Sequence, residues 1–206
     1  MRQIGKIMFS GLVTAWDGFW FVWLAEILWF ALCLPIITAP LAFTGLYYTM
    51  HQLANGESVD WKTFFEGIKR YFWAGLRWFG FNLLVVFVLA FYFLFFSASG
   101  LTQDLRQAIS GVPAGLLVVW AIINAFTFPL MLRQEKPSYL TALHNSLVFY
   151  LKWPLFTLAF VLFNAAVIAL SIWLQFPALI LTGSLTALMA CVCVKYKIEE
   201  TKAAKL

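Results

Sequence analysis

The fold is decided by the stretch Leu32-Cys33-Leu34-Pro35-Ile36-Ile37-Thr38-Ala39-Pro40-Leu41. It is apolar enough to lie in a lipid bilayer, yet it contains two prolines. Proline removes a backbone donor, clashes with the preceding helical turn and disfavours helical geometry in the residue before it. The sequence therefore predicts that one helix ends near Leu34 and that another begins near Pro40, since proline suits a first helical turn. The break is either a tight turn between two membrane spans or a re-entrant dip.

The composition is typical of a polytopic helical membrane protein. Of the 206 residues, 63% are hydrophobic and only 11% are charged, with a mean hydropathy of +0.87. A soluble domain carries roughly 25% charged residues. The net charge of +5 is the basic excess that cytoplasmic loops of membrane proteins carry. No basic cluster is interleaved with stacking aromatics, so we expect no nucleic-acid partner.

The hydrophobic runs predict one transmembrane domain over residues 1–206, an all-α bundle of five to six spans. The spans are expected at about 19–35, 38–53, 78–97, 112–132, 154–173 and 177–194. With six spans and both termini inside, every lysine and arginine except Arg106 falls on the cytoplasmic side, as the positive-inside rule prefers. We therefore expect a multi-pass protein of a bacterial cell membrane with cytoplasmic termini.

Two polar connections on the cytoplasmic side are expected to form amphipathic helices. The first follows Asp60, a predicted helix N-cap, and the second covers residues 133–152. Such a helix lies either in the membrane interface or under the bundle as a lid. The predicted interfacial or partner-binding face of the first connector consists of Trp61, Phe64, Phe65, Ile68, Lys69 and Arg70.

A weak internal similarity relates the two halves at an offset of 78 residues. Pro35 then aligns with Pro113, and Trp61 aligns with Tyr139. Each copy would contain a span, an amphipathic connector and a second span, both running in the same direction. The pattern predicts a parallel internal repeat, an arrangement that transporters often contain.

Four polar residues within the predicted spans are candidates for function. They are Glu26, Asn82, Asn124 and Asn164. Glu26 is the one carboxylate inside a predicted span, and an ionisable group at that depth is by default a candidate functional site. It would bind a proton, a cation or a sugar, or would join two helices through one of the asparagines. The asparagines would form a polar seam that lines either a cavity or a helix interface.

Enzymatic chemistry is not expected. The two histidines lack neighbouring acidic or histidine residues at metal-ligand spacing, and no nucleophile elbow or phosphate-binding loop occurs. We therefore predict no catalytic residue, no cofactor and no metal. The broken-helix motif of Pro35, Thr38 and Pro40 is the remaining candidate feature, because unwound backbone at membrane depth must be buried in protein or line a cavity.

The run from Leu28 to Thr38 carries a resemblance to a known family. Together with Leu46-Tyr47-Tyr48 and Phe64-Phe65-Glu66-Gly67-Ile68-Lys69, it resembles the YesL-like family of bacterial membrane proteins over about residues 20–80. The resemblance implies a small polytopic protein of unknown molecular activity, often associated with carbohydrate utilisation and sugar importers. It supplies no catalytic residues.

Two functions follow as hypotheses. The first is a non-catalytic accessory or scaffold component linked to carbohydrate uptake, with the lipid bilayer and a sugar-importer permease or other membrane protein as partners. The second is a small solute transporter or channel-like carrier that uses Glu26 and the asparagine seam.

Overall fold

The chain folds into helices joined by short connections. The structure, a computed structural model, describes residues 2–98, 103–174 and 176–203, and no strand occurs among them. The helices are α1 (Arg2–Asp17), α2 (Phe19–Cys33), α3 (Ala39–Asn55), α4 (Trp61–Ser97), α5 (Gln103–Leu132), α6 (Tyr139–Lys152), α7 (Pro154–Leu174) and α8 (Phe176–Ala203). A 3-10 turn over Ile36–Thr38 separates α2 from α3. The all-α class is confirmed.

Three helices are long and apolar enough to cross a membrane. They are Trp61–Ser97, Gly111–Leu132 and Pro154–Trp173, and the bent pair α1 and α2 passes the same test when taken together. Only described residues enter this comparison, and the side chains of residues 174–181, at the start of the predicted span 177–194, lie outside them. The architecture is that of an all-α membrane protein with three to four clear candidate spans.

The predicted break at Pro35 is present. Helix α2 ends at Cys33, and α3 begins at Ala39 with Pro40 in its first turn. The Thr38 hydroxyl donates to the carbonyl of Leu32, one of the carbonyls left free where α2 ends. The chain reverses here, and α2 packs against α3. The two helices have 15 and 17 residues, or about 22 Å and 26 Å of length.

Helix α3 forms the centre of the bundle. It packs against α2, α4, α5 and α8. Its residues Leu46 and Met50 are buried in the main core. Glycines allow its close contact with α4: a Cβ on Gly75 would lie 2.0 Å from the Thr44 Oγ1, and one on Gly67 would lie 2.5 Å from the Tyr48 Cβ. Gly67 and Gly75 therefore accommodate α3 side chains that any larger residue would displace.

Helix α4 joins two segments that the sequence analysis separates. The connector after Asp60 and the span at 78–97 form one helix of 37 residues, kinked at Tyr71 (φ −112°, ψ 16°). Helical periodicity continues through the aromatic run, and no proline or turn sequence interrupts it. The N-cap prediction is confirmed, because the Asp60 carboxylate accepts from the Thr63 N–H at 2.9 Å and the Thr63 hydroxyl contacts the Asp60 N–H, a reciprocal capping pair.

The aligned halves of the chain differ in their local structure. Pro35 ends a helix, whereas Pro113 lies inside α5. The first connector runs into its span through the Tyr71 kink, whereas α6 ends at Lys152 and α7 begins at Pro154. The parallel repeat therefore stays a prediction.

The N-terminal segment forms a helix that the sequence analysis does not predict. Helix α1 meets α2 at Gly18 with a bend of 83°. It packs against α8 where Gly11 allows close approach, since a Cβ there would lie 2.3 Å from the Met189 Sδ. Ile7, one turn earlier, is buried in the same contact region. The bend places α1 across the end of the bundle.

Candidate functional site

The candidate site is centred on Glu26, which lies on α2 and is 1% exposed. Its Oε1 accepts the backbone N–H of Gly183 at 3.0 Å, and its Oε2 accepts the N–H of Ser184 at 2.5 Å. Both donors lie on α8, so the carboxylate connects two helices that are far apart in sequence. A carboxylate is the side chain best suited to this role, because it has two acceptor oxygens in one plane.

Gly183 makes this contact sterically feasible. A Cβ at that position would lie 2.9 Å from Oε1 and 3.1 Å from Oε2 of Glu26. These distances are shorter than carbon–oxygen contacts in well-packed proteins, so a side chain at residue 183 would push the carboxylate away from the α8 backbone. Glu26 and Gly183 therefore form a complementary pair, which we call the Glu26 clamp together with Ser184.

Asn82 links α4 to α5 through Trp120. The Trp120 Nε1–H donates to the Asn82 Oδ1 at 2.9 Å, and the Asn82 amide donates to the Trp78 carbonyl at 2.7 Å. Both polar ends of the asparagine are thus hydrogen-bonded within the helix pair. The arrangement holds α4 and α5 together inside the apolar region.

The other two asparagines each bond within their own helix. The Asn124 amide donates to the Trp120 carbonyl at 3.1 Å, and the Asn164 amide donates to the Phe160 carbonyl at 2.9 Å. Their Oδ1 atoms are buried and have no partner among the described residues. Trp120 brings Asn82 and Asn124 into one neighbourhood, but no hydrogen bond among the described side chains joins two asparagines or an asparagine to Glu26. The polar seam stays a prediction.

The broken-helix motif presents an apolar tip. Leu34, Ile36 and Ile37 are 69%, 77% and 89% exposed. This exposed apolar surface is suited to contact the membrane, at its surface or within the lipid. Thr38 stabilises the turn through the hydrogen bond from its hydroxyl to the Leu32 carbonyl, and Pro40 lies in the first turn of α3. The motif contributes to the architecture by ending α2 and beginning α3.

The predicted partner-binding face on the first half of α4 is only partly available. Phe64, placed on that face by the sequence analysis, is 1% exposed and fills the space beside Gly45, where a Cβ would lie 2.6 Å from its ring. It belongs to the core of this chain because α3 packs on that side of α4. Trp61 and Phe65 remain 56% and 39% exposed. Ile68 is half-buried, and Lys69 and Arg70 are exposed.

A polar groove opens between α1, α8 and the connection from α3 to α4. Its volume is about 540 Å³, and its acidic and basic residues are Asp17, Glu57, Lys195 and Glu199. The Lys195 ammonium donates to the Ala54 carbonyl at 3.0 Å, at the end of α3. Sequence reasoning missed this groove because its residues come from three distant segments, and α1 was not predicted.

Arg133 lies beside the end of α3 as well. Its guanidinium donates to the Asn55 Oδ1 at 3.2 Å, and the Asn55 amide contacts the His51 Nε2 at 3.1 Å. Burial lowers the pKa of the Arg133 guanidinium, although arginine remains protonated in proteins. Basic side chains near the C-terminus of α3 interact favourably with the negative end of the helix dipole.

Among the residues that the structure describes, no three side chains of histidine, cysteine, aspartate or glutamate come together as metal ligands. Cys33, Cys191 and Cys193 are free thiols. The described buried polar contacts of Glu26 and Asn82 join helices to one another.

Comparisons with known proteins add no relative. No family model matches the chain, and no curated protein or solved structure matches it. The resemblance to YesL-like proteins therefore stays a prediction.

Proposed function

We propose that the protein is a non-catalytic membrane component that acts as an accessory or scaffold for another membrane protein. The observation that carries this proposal is that the most apolar part of α4 is not covered by the rest of the chain. The most hydrophobic 18-residue window of this helix has none of its residues buried within the chain. The corresponding window of α5 is 39% buried and that of α7 is 28% buried. Helix α4 thus offers more uncovered apolar surface than either of them.

The uncovered surface contains a groove between α4 and α5. It has a volume of about 380 Å³ and an almost entirely apolar lining: Leu84, Val85, Val88 and Leu89 from α4 and Leu116, Val119, Trp120 and Ile123 from α5. Association of helices in a bilayer depends on close packing, since lipid tails are as apolar as leucine. A groove of this shape favours a transmembrane helix of a partner as its occupant. The resemblance to YesL-like proteins supports a link to carbohydrate uptake, with a sugar-importer permease as partner.

Filling the groove tests the proposal. The tagged protein is purified in mild detergent from its native host, and proteins retained at stoichiometric amounts are identified by mass spectrometry. Val88→Trp fills the groove with an apolar ring and should reduce partner recovery at least tenfold. Leu162→Trp makes a comparable change at an exposed position of α7 (62% exposed) and should leave recovery unchanged. Absence of any stoichiometric partner, or equal recovery with both variants, would contradict the proposal.

The proposed topology has six crossings, at the ranges given above, and both termini in the cytoplasm of a bacterial cell. The distribution of lysine and arginine supports the sidedness of the termini. The same charge distribution is also compatible with a hairpin of α2 and α3 that turns back inside the bilayer. In both arrangements the segments after α3 lie on the same sides of the membrane.

The position of the hairpin tip distinguishes these arrangements. Ile37→Cys, in a background with Cys33→Ser, should react with a membrane-impermeant thiol reagent added outside intact cells if α2 and α3 both cross. A cysteine at exposed Lys69 should react only after the membrane is permeabilised, which controls for sidedness. An Ile37→Cys protein that stays unreactive from both sides would show that the hairpin ends within lipid.

The alternative is a small solute carrier, and the Glu26 clamp is the observation that favours it. A buried carboxylate held by backbone N–H groups of another helix is a contact whose release would let α2 and α8 separate. Glu26→Gln should then abolish proton- or solute-coupled flux in liposomes while leaving expression intact. Unchanged flux would remove Glu26 from any carrier mechanism.

A further inference from the structure

Helix α1 presents three distinct faces. One face packs on α8 through Ile7 and Gly11. A second face, with Ser10, Thr14 and Asp17, lines the polar groove. Two of the three faces of this 16-residue helix are therefore occupied by the chain or directed to water.

The third face of α1 is apolar and uncovered. Phe9, Leu12, Val13 and Trp16 are 68%, 42%, 40% and 79% exposed. Their positions recur at helical spacing, so they form one continuous strip. An exposed strip of this kind in a short helix needs an apolar environment.

The orientation of α1 limits what that environment is. The helix lies at 83° to α2, so α1 runs close to the membrane plane wherever α2 runs close to the membrane normal. With 16 residues, including Lys6 and Asp17, α1 is too short and too polar to cross the hydrocarbon core by itself. Trp20, just beyond the corner, is 73% exposed. Tryptophan side chains favour the level of the lipid headgroups.

A crevice beside the strip continues the same apolar surface into the bundle. It has a volume of about 220 Å³ and is lined by Leu12, Ala15 and Trp16 of α1, Phe19 and Val22 of α2, and Leu185 of α8. Its lining is almost free of polar atoms, and two of its lining residues, Leu12 and Trp16, belong to the strip. Such a crevice suits a lipid acyl chain, which is narrow, flexible and apolar.

We infer that α1 is an interfacial anchor that lies in the membrane plane, with the strip of Phe9, Leu12, Val13 and Trp16 inserted at the boundary between headgroups and acyl chains. The occupant of the strip is the lipid bilayer itself. Continuity of the strip with exposed Trp20 on α2 and with the apolar crevice favours lipid over a protein partner. The polar groove then faces the aqueous phase directly above the lipid.

Spin labelling in liposomes tests this inference. Single cysteines replace Phe9, Leu12 and Trp16, Cys33 is changed to serine, and Cys191 and Cys193 stay because they are buried. Collision rates with oxygen and with a water-soluble nickel chelate give the depth of each label. The three labels should be oxygen-accessible and should lie at the same shallow depth within a few ångströms. A label at Ser10 should instead collide with the nickel chelate.

Two outcomes would overturn the inference. A steady change of depth from residue 9 to residue 16, amounting to about 10 Å, would mean that α1 runs along the membrane normal. Low collision rates with both reagents at all three positions would mean that protein covers the strip. A label at Val88 on α4 serves as the reference for membrane insertion. If the Val88 label lies deep in the membrane and the α1 labels are not exposed to lipid, the anchor is contradicted and the proposed accessory function is unaffected.

Discussion

Helices α3 and α4 are both apolar, but the chain uses them in opposite ways. Helix α3 has 17 residues, packs against several other α-helices and buries most of its side chains. The most hydrophobic 18-residue segment of α4 has a mean hydropathy of 2.4, yet none of its residues is buried. Hydropathy alone therefore measures preference for lipid, whereas small residues and buried hydroxyls decide which helix becomes the core of a membrane protein.

The contact between α3 and α4 provides the strongest test of that comparison. Gly75→Leu should prevent normal packing, because a Cβ there would lie 2.0 Å from the Thr44 Oγ1 on a fully buried residue. We expect the free energy of unfolding to fall by about 3 kcal/mol. The variant should then lose its monodisperse peak in size-exclusion chromatography.

Gly80→Leu is the matched control on the same helix. No heavy atom of the protein lies within 4 Å of a Cβ at that position. Leucine also has a higher helix propensity than glycine, so stability should be unchanged or slightly higher. Equal behaviour of the two variants would mean that α3 does not pack on α4 as described.

The Glu26 clamp offers a test of intermediate size. Glu26→Ala removes both acceptors of the Gly183 and Ser184 N–H groups and leaves a cavity. We expect a loss of about 2 kcal/mol, which would lower the thermal unfolding midpoint by roughly 5 °C. Glu26→Gln retains one oxygen acceptor and should lose less, so the order wild type, Gln, Ala in unfolding midpoints checks the contact. An alanine variant as stable as the wild type would argue that the clamp does not hold α2 to α8.

The start of α4 should give the smallest effect. Asp60→Ala removes the N-cap of a helix whose first half is held mainly by packing on α3. Hydrogen bonds from Thr63 lower the pKa of Asp60 from its ordinary value of 3.8. The cap therefore stabilises the folded protein at a pH above 3.8, and this stabilisation is lost as the pH falls below that value.

A pH series of unfolding measurements checks the cap. The difference in unfolding midpoint between the wild type and Asp60→Ala should be small at neutral pH and should disappear in acid. A difference that persists unchanged at acidic pH would show that the carboxylate is not the capping group.

The sequence predicts the class of the protein and the features that depend on nearby residues. Proline chemistry locates the break at Pro35, and the short side chain of Asp60 identifies the start of α4. These features follow from interactions within about four residues, which local sequence contains in full.

Contacts between distant segments are not predictable in the same way. The asparagines are the partners expected for Glu26 from the sequence, but the Glu26 carboxylate accepts hydrogen bonds from the backbone of Gly183 and Ser184. Backbone N–H groups occur at nearly every residue and leave no signal in the sequence, and a lone glycine in a span has many explanations. Helix α1 is not predicted for a related reason, because its three faces meet three different environments.

The Glu26 clamp also has a consequence for how the protein is made. Glu26 emerges from the ribosome 157 residues before Gly183, so its partner does not exist while the first helices enter the membrane. During that interval the carboxylate must stay hydrated at the translocation machinery, bind a proton or borrow a temporary partner. Helix α8 supplies the partners of this carboxylate, so we expect a nascent chain that stops before α8 to carry an unsatisfied buried acid and to be degraded by quality-control proteases.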